Sequence, residues 1–325
     1  MGSKINYKKA ISMLEEADNI VILIHGAPDG DAVGSAFAMY YLLTDMDKTV
    51  RILCPDEIPS RYSYLCPGEE IRLISNCPEI GFEPGFIMSV DLADPQLLGE
   101  LKSEYENRIV LSIDHHISNT LYAENILLNP EASAACEVVY KLIKEWKKKI
   151  TDIVAACLYT GISTDTGCYK FANTTAETHR ITAELLKNNK FDFAAINRIM
   201  FEIKSSGRIR LESILLNSVE FFFKNKVAIL TITKENIDEH EIKADDLEGI
   251  TFLVTQIEGV EIGVVIKEKE NDEYKISLRS TGEANVSEIC KNLGGGGHIR
   301  AAGCKLDGDI NSVKQKLLRE IEKVI

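Results

Sequence analysis

Apolar runs alternate with stretches of mixed apolar and polar residues along the first half of the chain. Short, nearly continuous apolar runs predict buried strands at residues 19–24, 49–53, 86–91 and 108–114. Stretches with helical spacing of their apolar residues predict helices at residues 7–16, 32–43, 95–103, 132–148 and 152–162. Strands and helices that alternate in this way indicate an α/β fold, with a mostly parallel sheet covered by helices on both faces.

The second half has a different pattern. Residues 175–188 and 191–223 have helical spacing, with a polar interruption at 204–207. Strands predicted at 227–233, 261–267 and 274–279 are separated by acidic helices and loops, as in a compact α+β unit. We therefore expect three segments: a domain over 1–190, a helical linker over 191–212 and a smaller α+β domain over 213–325.

Length and composition are those of an ordinary globular protein. The 325 residues, 45% hydrophobic and 27% charged, are enough for two domains. No apolar run approaches the roughly 18 residues of a membrane helix, and residues 1–6 lack the apolar core of a signal peptide. The sequence therefore predicts a cytoplasmic protein without a membrane partner.

Cysteine spacing and net charge argue against three classes of protein. The eight cysteines include no Cys-x-x-Cys pair, which disfavours both a zinc ribbon and a disulfide scaffold. The net charge of −13 disfavours proteins that track along duplex nucleic acid, because such binding requires a basic stripe. A phosphorylated substrate would therefore be short.

Ionisable residues follow three of the predicted strands. The strands at 19–24, 86–91 and 108–114 end in His25, in Asp91, and in the run Asp114, His115 and His116. The turn after His25 adds Asp29 and Asp31, and the glycine-flanked turn at 161–167 adds Asp165. One acid at such a position is as readily a helix cap, and Asp-Gly is common in turns. Three such strand ends favour a shared site, because open parallel sheets bind ligands beyond the carboxyl ends of their strands.

The chemistry of these side chains indicates divalent metal ions. Carboxylates and imidazoles without thiolates match ions that accept oxygen and nitrogen ligands, Mn²⁺ above all. Six or seven such ligands are too many for one ion. Two ions about 3.5–4 Å apart stabilise the attacking and leaving oxygens of phosphoryl transfer. We therefore predict two Mn²⁺ ions, with other divalent ions as alternatives.

Four segments carry a family resemblance. "HGAPDGDAVGS" (25–35), "VDLADP" (90–95), "IDHH" (113–116) and "GISTDTG" (161–167) resemble the successive motifs of the DHH phosphoesterases in order and spacing. The resemblance implies a first metal held by His25, Asp29 and Asp91. It implies a second metal held by Asp31, Asp91, His115 and Asp165, with Asp91 bridging the two. His116 would face the phosphate, and Asp114 would orient its neighbours.

Two segments of the last third resemble the DHH-associated C-terminal domain: "SLRS" (277–280) and "GGGGHIRAAGC" (294–304). Four glycines alone favour a flexible loop, but their amides can also form an anion-binding concavity. Residues 298–302 are predicted to begin a helix after them. The resemblance implies a substrate pocket formed by Arg279, Ser280, Gly294, Gly295, Gly296, Gly297 and His298. A related glycine motif also occurs in alanyl-tRNA synthetases. By itself, the motif therefore implies contact with nucleic acid and not hydrolysis.

Both domains together resemble the stand-alone nano-RNase and pAp-phosphatase group. This implies a hydrolase that cleaves short RNA and dinucleotides to mononucleotides, and pAp to AMP and phosphate. The reaction would be in-line attack by a hydroxide between two metals, in a cleft between a catalytic domain and a nucleotide-binding domain. The alternatives are hydrolysis of linear or cyclic dinucleotides such as cyclic di-AMP, hydrolysis of pyrophosphate, or nucleotide binding without turnover. The sequence leaves a homodimer open.

Overall fold

A computed structural model describes residues 2–66, 80–240, 242–247, 249–270 and 272–325. It divides into two units, Met1–Ile203 and Lys204–Ile325. Seven of the cysteines are free thiols, and Cys77 lies outside the described residues. In the described part of the chain, no helix has the length and apolar character needed to cross a membrane.

The first unit contains a sheet in which every strand pairing is parallel. Its strands are β1 (Ser3–Lys4), β2 (Ile20–Leu23), β3 (Val50–Leu53), β4 (Phe86–Val90), β5 (Leu111–Asp114) and β6 (Asn125–Leu128). They lie in the order β1-β6-β5-β4-β2-β3. Each residue of β2 is fully buried, as expected of a parallel strand covered on both faces. The predicted α/β fold is confirmed.

Helices cover this sheet. They are α1 (Tyr7–Glu16), α2 (Gly30–Thr44), α3 (Lys102–Tyr105), α4 (Ala135–Glu145), α5 (Asp152–Asp165), α6 (Ala176–Asn188) and α7 (Phe193–Asn197). Alternate residues of β2 enter two cores, because side chains of a strand point to opposite faces. Ile20 and Ile22 join the core that contains α2, α4 and α5, while Val21 and Leu23 join the core around Leu98.

Two predicted helices have a different form in the structure. Residues Pro95–Leu101 form a 3₁₀ helix interrupted at Gly99, whose φ is +52°, and the short α3 follows. The predicted helix over 191–223 is divided into α7, a π-helical turn at Arg198–Glu202, a further helix and a strand. The polar residues 204–207 separate these elements, because Ser205 caps the next helix by accepting a hydrogen bond from the Arg208 N–H.

The second unit contains a mixed sheet packed against helices. Its strands are β7 (Glu220–Phe222), β8 (Val227–Ile232), β9 (Ile262–Glu268), β10 (Glu273–Ser280), β11 (Gly296–His298) and β12 (Ala301–Asp307), in the order β11-β12-β10-β9-β8-β7. Its helices are α8 (Ser206–Asn217), α9 (Lys234–Glu239), α10 (Phe252–Thr255), α11 (Val286–Asn292) and α12 (Ile310–Ile321). Among the described strands of this second sheet, β8 and β9 are the pair that runs parallel, and the other neighbouring strands pair antiparallel. The predicted α+β character is confirmed.

The helix predicted to begin at residues 298–302 is wrong. Gly296, Gly297 and His298 form strand β11, which turns back and pairs with β12. The backbone of β12 is also paired along β10, from Ala301 to Asp307, so its N–H and C=O groups serve the sheet instead of a helix. Gly297 has a φ of +143°, a conformation that favours glycine and does not lead into a helix.

Candidate metal centre

The predicted ionisable residues of the first unit come together at one edge of its sheet. They lie beyond β2, β4 and β5 or at the adjoining ends of α2 and α5: His25, Asp29, Asp31, Asp91, Asp114, His115, His116 and Asp165. Because all strands of this sheet are parallel, their carboxyl ends meet at the same edge. The topology therefore explains why residues up to 140 positions apart can contribute to one site.

The first group consists of His25, Asp29 and Asp91, whose ligand atoms lie within 4.8 Å of one another. His25 Nε2 is 3.9 Å from Asp29 Oδ1 and 3.7 Å from Asp91 Oδ2. His25 Nδ1 lies 2.8 Å from the Gly26 carbonyl oxygen, which can only accept, so Nδ1 carries the proton. The Nε2 lone pair is therefore directed for binding a cation, as in metal-ligating histidines.

The second group consists of Asp31, His115 and Asp165, also within 4.8 Å. His115 Nε2 lies 3.8 Å from Asp31 Oδ2 and 3.3 Å from Asp165 Oδ2. Its Nδ1 faces the Ala132 carbonyl oxygen at 3.1 Å, so this imidazole has the same tautomer as His25. The distance from His115 Nε2 to Asp91 Oδ1 is 3.6 Å, so Asp91 adjoins both groups.

Asp91 is a buried acid whose surroundings would suit a bound cation. It is 2% exposed, and its Oδ1 is a buried atom without a hydrogen-bond partner among the described residues. Its backbone is left-handed, with a φ of +52°, which costs a residue other than glycine about 1–3 kcal/mol. Burial, followed by the charges of Asp31 and Asp29, raises the pKa of Asp91 well above its ordinary value. A divalent cation would satisfy this oxygen and relieve the repulsion, so the residues fit a metal.

Asp31 connects the metal centre to the start of a helix. It is fully buried, and its two carboxylate oxygens accept hydrogen bonds from the N–H groups of Ala135 and Cys136. These are the first two residues of α4, whose own preceding residue Ala134 provides no side-chain cap. Asp31 therefore caps α4 across more than 100 positions of sequence, and the helix N-terminus favours its negative charge.

Asp29 serves as a helix cap as well as a candidate ligand. Its Oδ1 accepts hydrogen bonds from the N–H groups of Asp31 and Ala32 at 3.0 Å, which begins α2. The helix-cap interpretation of this acid is therefore correct, and the metal-ligand prediction stays open, because one carboxylate can cap a helix and still face His25. The two interpretations of the motif are compatible.

Asp165 lies at the end of α5 in the same charged cluster. Burial and the charge of Asp31 raise the pKa of the Asp165 carboxyl to about 9. Asn173, which the sequence analysis missed, donates hydrogen bonds to the backbone oxygens of Asp165 and Ser133, at 3.1 Å each. It therefore links the turn that carries Asp165 to the segment before α4.

Asp114 and His116 form a hydrogen-bonded pair beside the ligands. His116 Nδ1 lies 2.8 Å from Asp114 Oδ1 and forms a hydrogen bond with it. The same nitrogen also lies 3.6 Å from Asp91 Oδ1, but its hydrogen bond to Asp114 leaves it without a free lone pair for a metal. That bond is the main cause of a raised pKa of His116. Burial alone would raise the pKa of Asp114, but hydrogen bonds from His116 and Asn119 outweigh burial and lower it. Asn119, a residue that the motif analysis did not select, donates to Asp114 Oδ2 at 2.6 Å.

The predicted substrate residues lie in the second unit. Arg279 on β10 is directly opposite Ala301, which is opposite His298 on β11. Directly paired residues share a face of the sheet, so Arg279 and His298 flank the small Ala301 on one face. Arg279 is half-buried, and burial lowers its pKa. Ser280, the next residue along β10, is buried on the opposite face and is not brought to Arg279.

Two of the four glycine amides have internal partners. Gly294 and Gly295 donate to the carbonyl oxygens of Lys291 and Cys290, which closes the end of α11. These two N–H groups therefore do not face an anion. A side chain at Gly295 would place its Cβ 2.2 Å from the Gly303 oxygen, so glycine is required for the close approach to β12.

The family follows from comparison with known sequences. Residues 19–162 match the N-terminal domain of the DHH family, and residues 224–325 match the DHHA1 domain. The bifunctional oligoribonuclease and PAP phosphatase NrnA of Thermus thermophilus is 30% identical over 306 residues, 94% of this chain and 89% of that protein. This chain belongs to the DHH phosphoesterases. The resemblance drawn from its motifs is confirmed, and the chain is a hydrolase.

Two other similar proteins have different names from the Thermus thermophilus relative, and one of them is much longer than this chain. The cyclic-di-AMP phosphodiesterase GdpP of Bacillus subtilis is 26% identical over 96% of this chain but only 48% of that protein. The crystal structure of an exopolyphosphatase-related protein from Bacteroides fragilis matches with a TM-score of 0.89 and 27% identity, covering 98% of this chain and 95% of that one. The DHH match over 19–162 includes the candidate site residues from His25 to His116 and ends before Asp165.

Proposed function

We propose that this DHH phosphoesterase cleaves short oligoribonucleotides, including dinucleotides, to mononucleotides, and pAp to AMP and phosphate. The observation that carries the proposal is the meeting of two three-residue groups of candidate ligands at Asp91, whose buried Oδ1 has no hydrogen-bond partner among the described residues. Sites for two adjacent cations are an arrangement suited to phosphoryl transfer. The description of the Thermus thermophilus relative as an oligoribonuclease and PAP phosphatase supports the choice of substrate.

Two divalent ions would be held by different sets of side chains. His25, Asp29 and Asp91 would hold one ion, and Asp31, Asp91, His115 and Asp165 would hold the other. We assign Mn²⁺ to both, because two imidazoles accompany the carboxylates and Mg²⁺ prefers oxygen. Bound divalent ions supply charge stabilisation for a phosphate and lower the pKa of water.

His116 would position the phosphate. Its Nδ1–H is held by Asp114, and Asn119 holds Asp114 in turn, so the plane of the imidazole is defined by two successive contacts. The hydrogen bond to Asp114 raises the pKa of His116. Only Nε2 is then left to meet a substrate, and a protonated Nε2–H can donate to a phosphate oxygen.

Arg279 and His298 would bind the nucleotide. They lie in one row of paired residues, Gly263, Arg279, Ala301 and His298, and only the small Ala301 separates Arg279 from His298 in that row. A guanidinium on this face can hold a phosphate in a bidentate contact, and His298 is exposed beside it. Binding of this kind would restrict the substrate to one with a nucleotide, in preference to pyrophosphate.

Cyclic-dinucleotide hydrolysis is the second candidate. The similarity to the cyclic-di-AMP phosphodiesterase GdpP over nearly all of this chain favours it, although this chain spans about half of that protein. Both candidates would use the same metal centre and differ in what the second unit accepts.

A panel of substrates with Mn²⁺ tests the proposal: pAp, pApA, pGpG, cyclic di-AMP, a five-nucleotide RNA and pyrophosphate. We expect the linear dinucleotides and pAp to be hydrolysed fastest. Faster turnover of cyclic di-AMP than of pApA would favour the second candidate. Turnover of pyrophosphate alone would contradict both.

A further inference from the structure

Asp56, an exposed acid outside the four motifs, contacts the turn that carries the first ligand group. It follows β3, the neighbour of β2 in the sheet. Its Oδ2 accepts a hydrogen bond of 2.7 Å from the N–H of Ala27. Ala27 lies midway between His25 and Asp29, so this one bond holds the centre of the segment that joins the two ligands.

The turn needs such a contact because its backbone is strained. Ala27 has a φ of +49°, a left-handed conformation that is unfavourable for any residue with a Cβ atom. It also precedes Pro28, and the residue before a proline is sterically restricted away from helical conformations. Without an external partner, the segment would relax toward more common backbone angles, and the spacing of His25 and Asp29 would change.

Asp56 is one of three residues whose hydrogen bonds hold the backbone of residues 25–27. The Gly26 N–H donates to the Leu97 oxygen at 2.8 Å, and the Cys54 thiol donates to the His25 oxygen at 3.4 Å. A Cβ atom on Gly26 would lie 2.8 Å from Asp56 Oδ2, so the carboxylate packs directly against the turn. Backbone groups of His25, Gly26 and Ala27 are thus held by two neighbouring segments: the residues that follow β3, and the 3₁₀ helix that contains Leu97.

We propose that Asp56 is a positioning residue for the first metal: its carboxylate locks the strained Ala27 turn so that His25 and Asp29 converge with Asp91. This inference rests on the proposed metal centre. Asp56 is not one of the proposed ligands, and in the described residues it belongs to neither the first nor the second group of ligand atoms. Among the described residues, no hydrogen bond joins Asp56 to Asp31, His115 or Asp165 of the second group, so we expect the main effect at the first ion.

Three variants separate hydrogen bonding from charge. Asp56→Ala removes both the acceptor and the charge, while Asp56→Asn keeps an amide oxygen as acceptor and removes only the charge. Asp192→Ala is the matched control, because Asp192 also accepts a backbone hydrogen bond, from Ala195 at 2.9 Å, but at the start of α7. Each purified full-length variant is titrated with Mn²⁺ alone by calorimetry, and its melting temperature is recorded in EDTA.

We expect wild type and Asp192→Ala to bind two Mn²⁺ ions with the same affinities. Asp56→Ala should weaken one of the two sites by about 10–100-fold, the usual effect of losing a residue that orients a ligand, and leave the other unchanged. Asp56→Asn should recover most of this loss. The melting temperature in EDTA should change little, because Asp56 is exposed and contributes no core packing.

Three results would overturn the proposal in distinguishable ways. Equal loss in Asp56→Asn and Asp56→Ala would mean that the charge acts on the ions from a distance and that the turn is not locked by the bond. Wild-type affinities in Asp56→Ala would mean that the turn holds without Asp56. If the wild-type chain binds no Mn²⁺, the metal centre itself fails, and the positioning role fails with it.

Discussion

Gly161 occupies a position where a single added methyl group should displace Asp31, a proposed metal ligand. It lies in α5 where this helix crosses α2, and a Cβ atom there would be 2.2 Å from Cys136 Sγ and 2.6 Å from Asp31 Oδ1. Real Cβ atoms do not approach other heavy atoms this closely, so either the helix or these side chains must move. Gly161→Ala should therefore impair the second metal site in particular.

The expected size of the effect follows from two opposing contributions. Overpacking a tight core costs about 1–3 kcal/mol. Replacing a glycine inside a helix with alanine recovers up to about 1 kcal/mol of helix propensity. With the full recovery, the net loss of about 0–2 kcal/mol should lower the melting temperature of a unit this size by up to roughly 8 °C. Displacement of Asp31 should weaken Mn²⁺ binding at the second site by about tenfold or more.

Gly34→Ala is the matched control for this experiment. Its Cβ atom would lie 2.5 Å from the Cys157 oxygen in the same α2–α5 contact, but no ligand atom is among its nearest neighbours. Both variants should melt earlier than wild type, measured by circular dichroism in EDTA. Only Gly161→Ala should also lose affinity in a Mn²⁺ titration. Equal Mn²⁺ binding by the two variants would refute the claim that Asp31 is displaced.

Three further variants and one metal comparison test the site. Asp91→Asn should remain folded and lose several orders of magnitude in kcat, because metal charge stabilisation is worth several kcal/mol; more than a tenth of the wild-type rate would exclude a bridging role. Asn119→Ala should lower kcat about tenfold with unchanged metal content, since Asp114 loses one charge-assisted hydrogen bond; loss of bound metal would assign Asn119 to the ligands instead. Arg279→Ala should raise KM and lower kcat for pApA but spare bis-p-nitrophenyl phosphate; equal losses on both would contradict its role in nucleotide binding. Turnover with Mn²⁺ should exceed turnover with Mg²⁺, and the reverse order in a steady-state assay would argue for an all-oxygen shell.

Much of the first unit was predictable because its strands are buried on both faces. A parallel strand such as β2 is a continuous apolar run in the sequence. The ionisable residue after such a strand indicates the edge of the sheet where ligands bind, so this edge can be predicted before any tertiary contact is known. His25 and Asp91 were predicted on that basis alone. β1 was missed because it has only two residues, and β6 was missed because its apolar run has only the three residues 126–128.

The supporting contacts were not predictable from local pattern. Asp31 caps α4, and Asp56 binds the Ala27 N–H, across 104 and 29 positions of sequence. No spacing rule links such residues, because their proximity is created by the order of strands in the sheet. The hairpin after the glycine run was missed for a related reason: β12 is rich in small residues, and only its pairing with β10 identifies it as a strand.

The most direct test of the account follows hydrolysis of pApA while Mn²⁺ is added to metal-free protein, with bound ions counted by elemental analysis of the same samples. We predict no turnover without metal, and a rate that rises as bound Mn²⁺ approaches two ions per chain. Full activity in excess EDTA, or a maximal rate at one ion per chain, would contradict the two-metal centre that meets at Asp91.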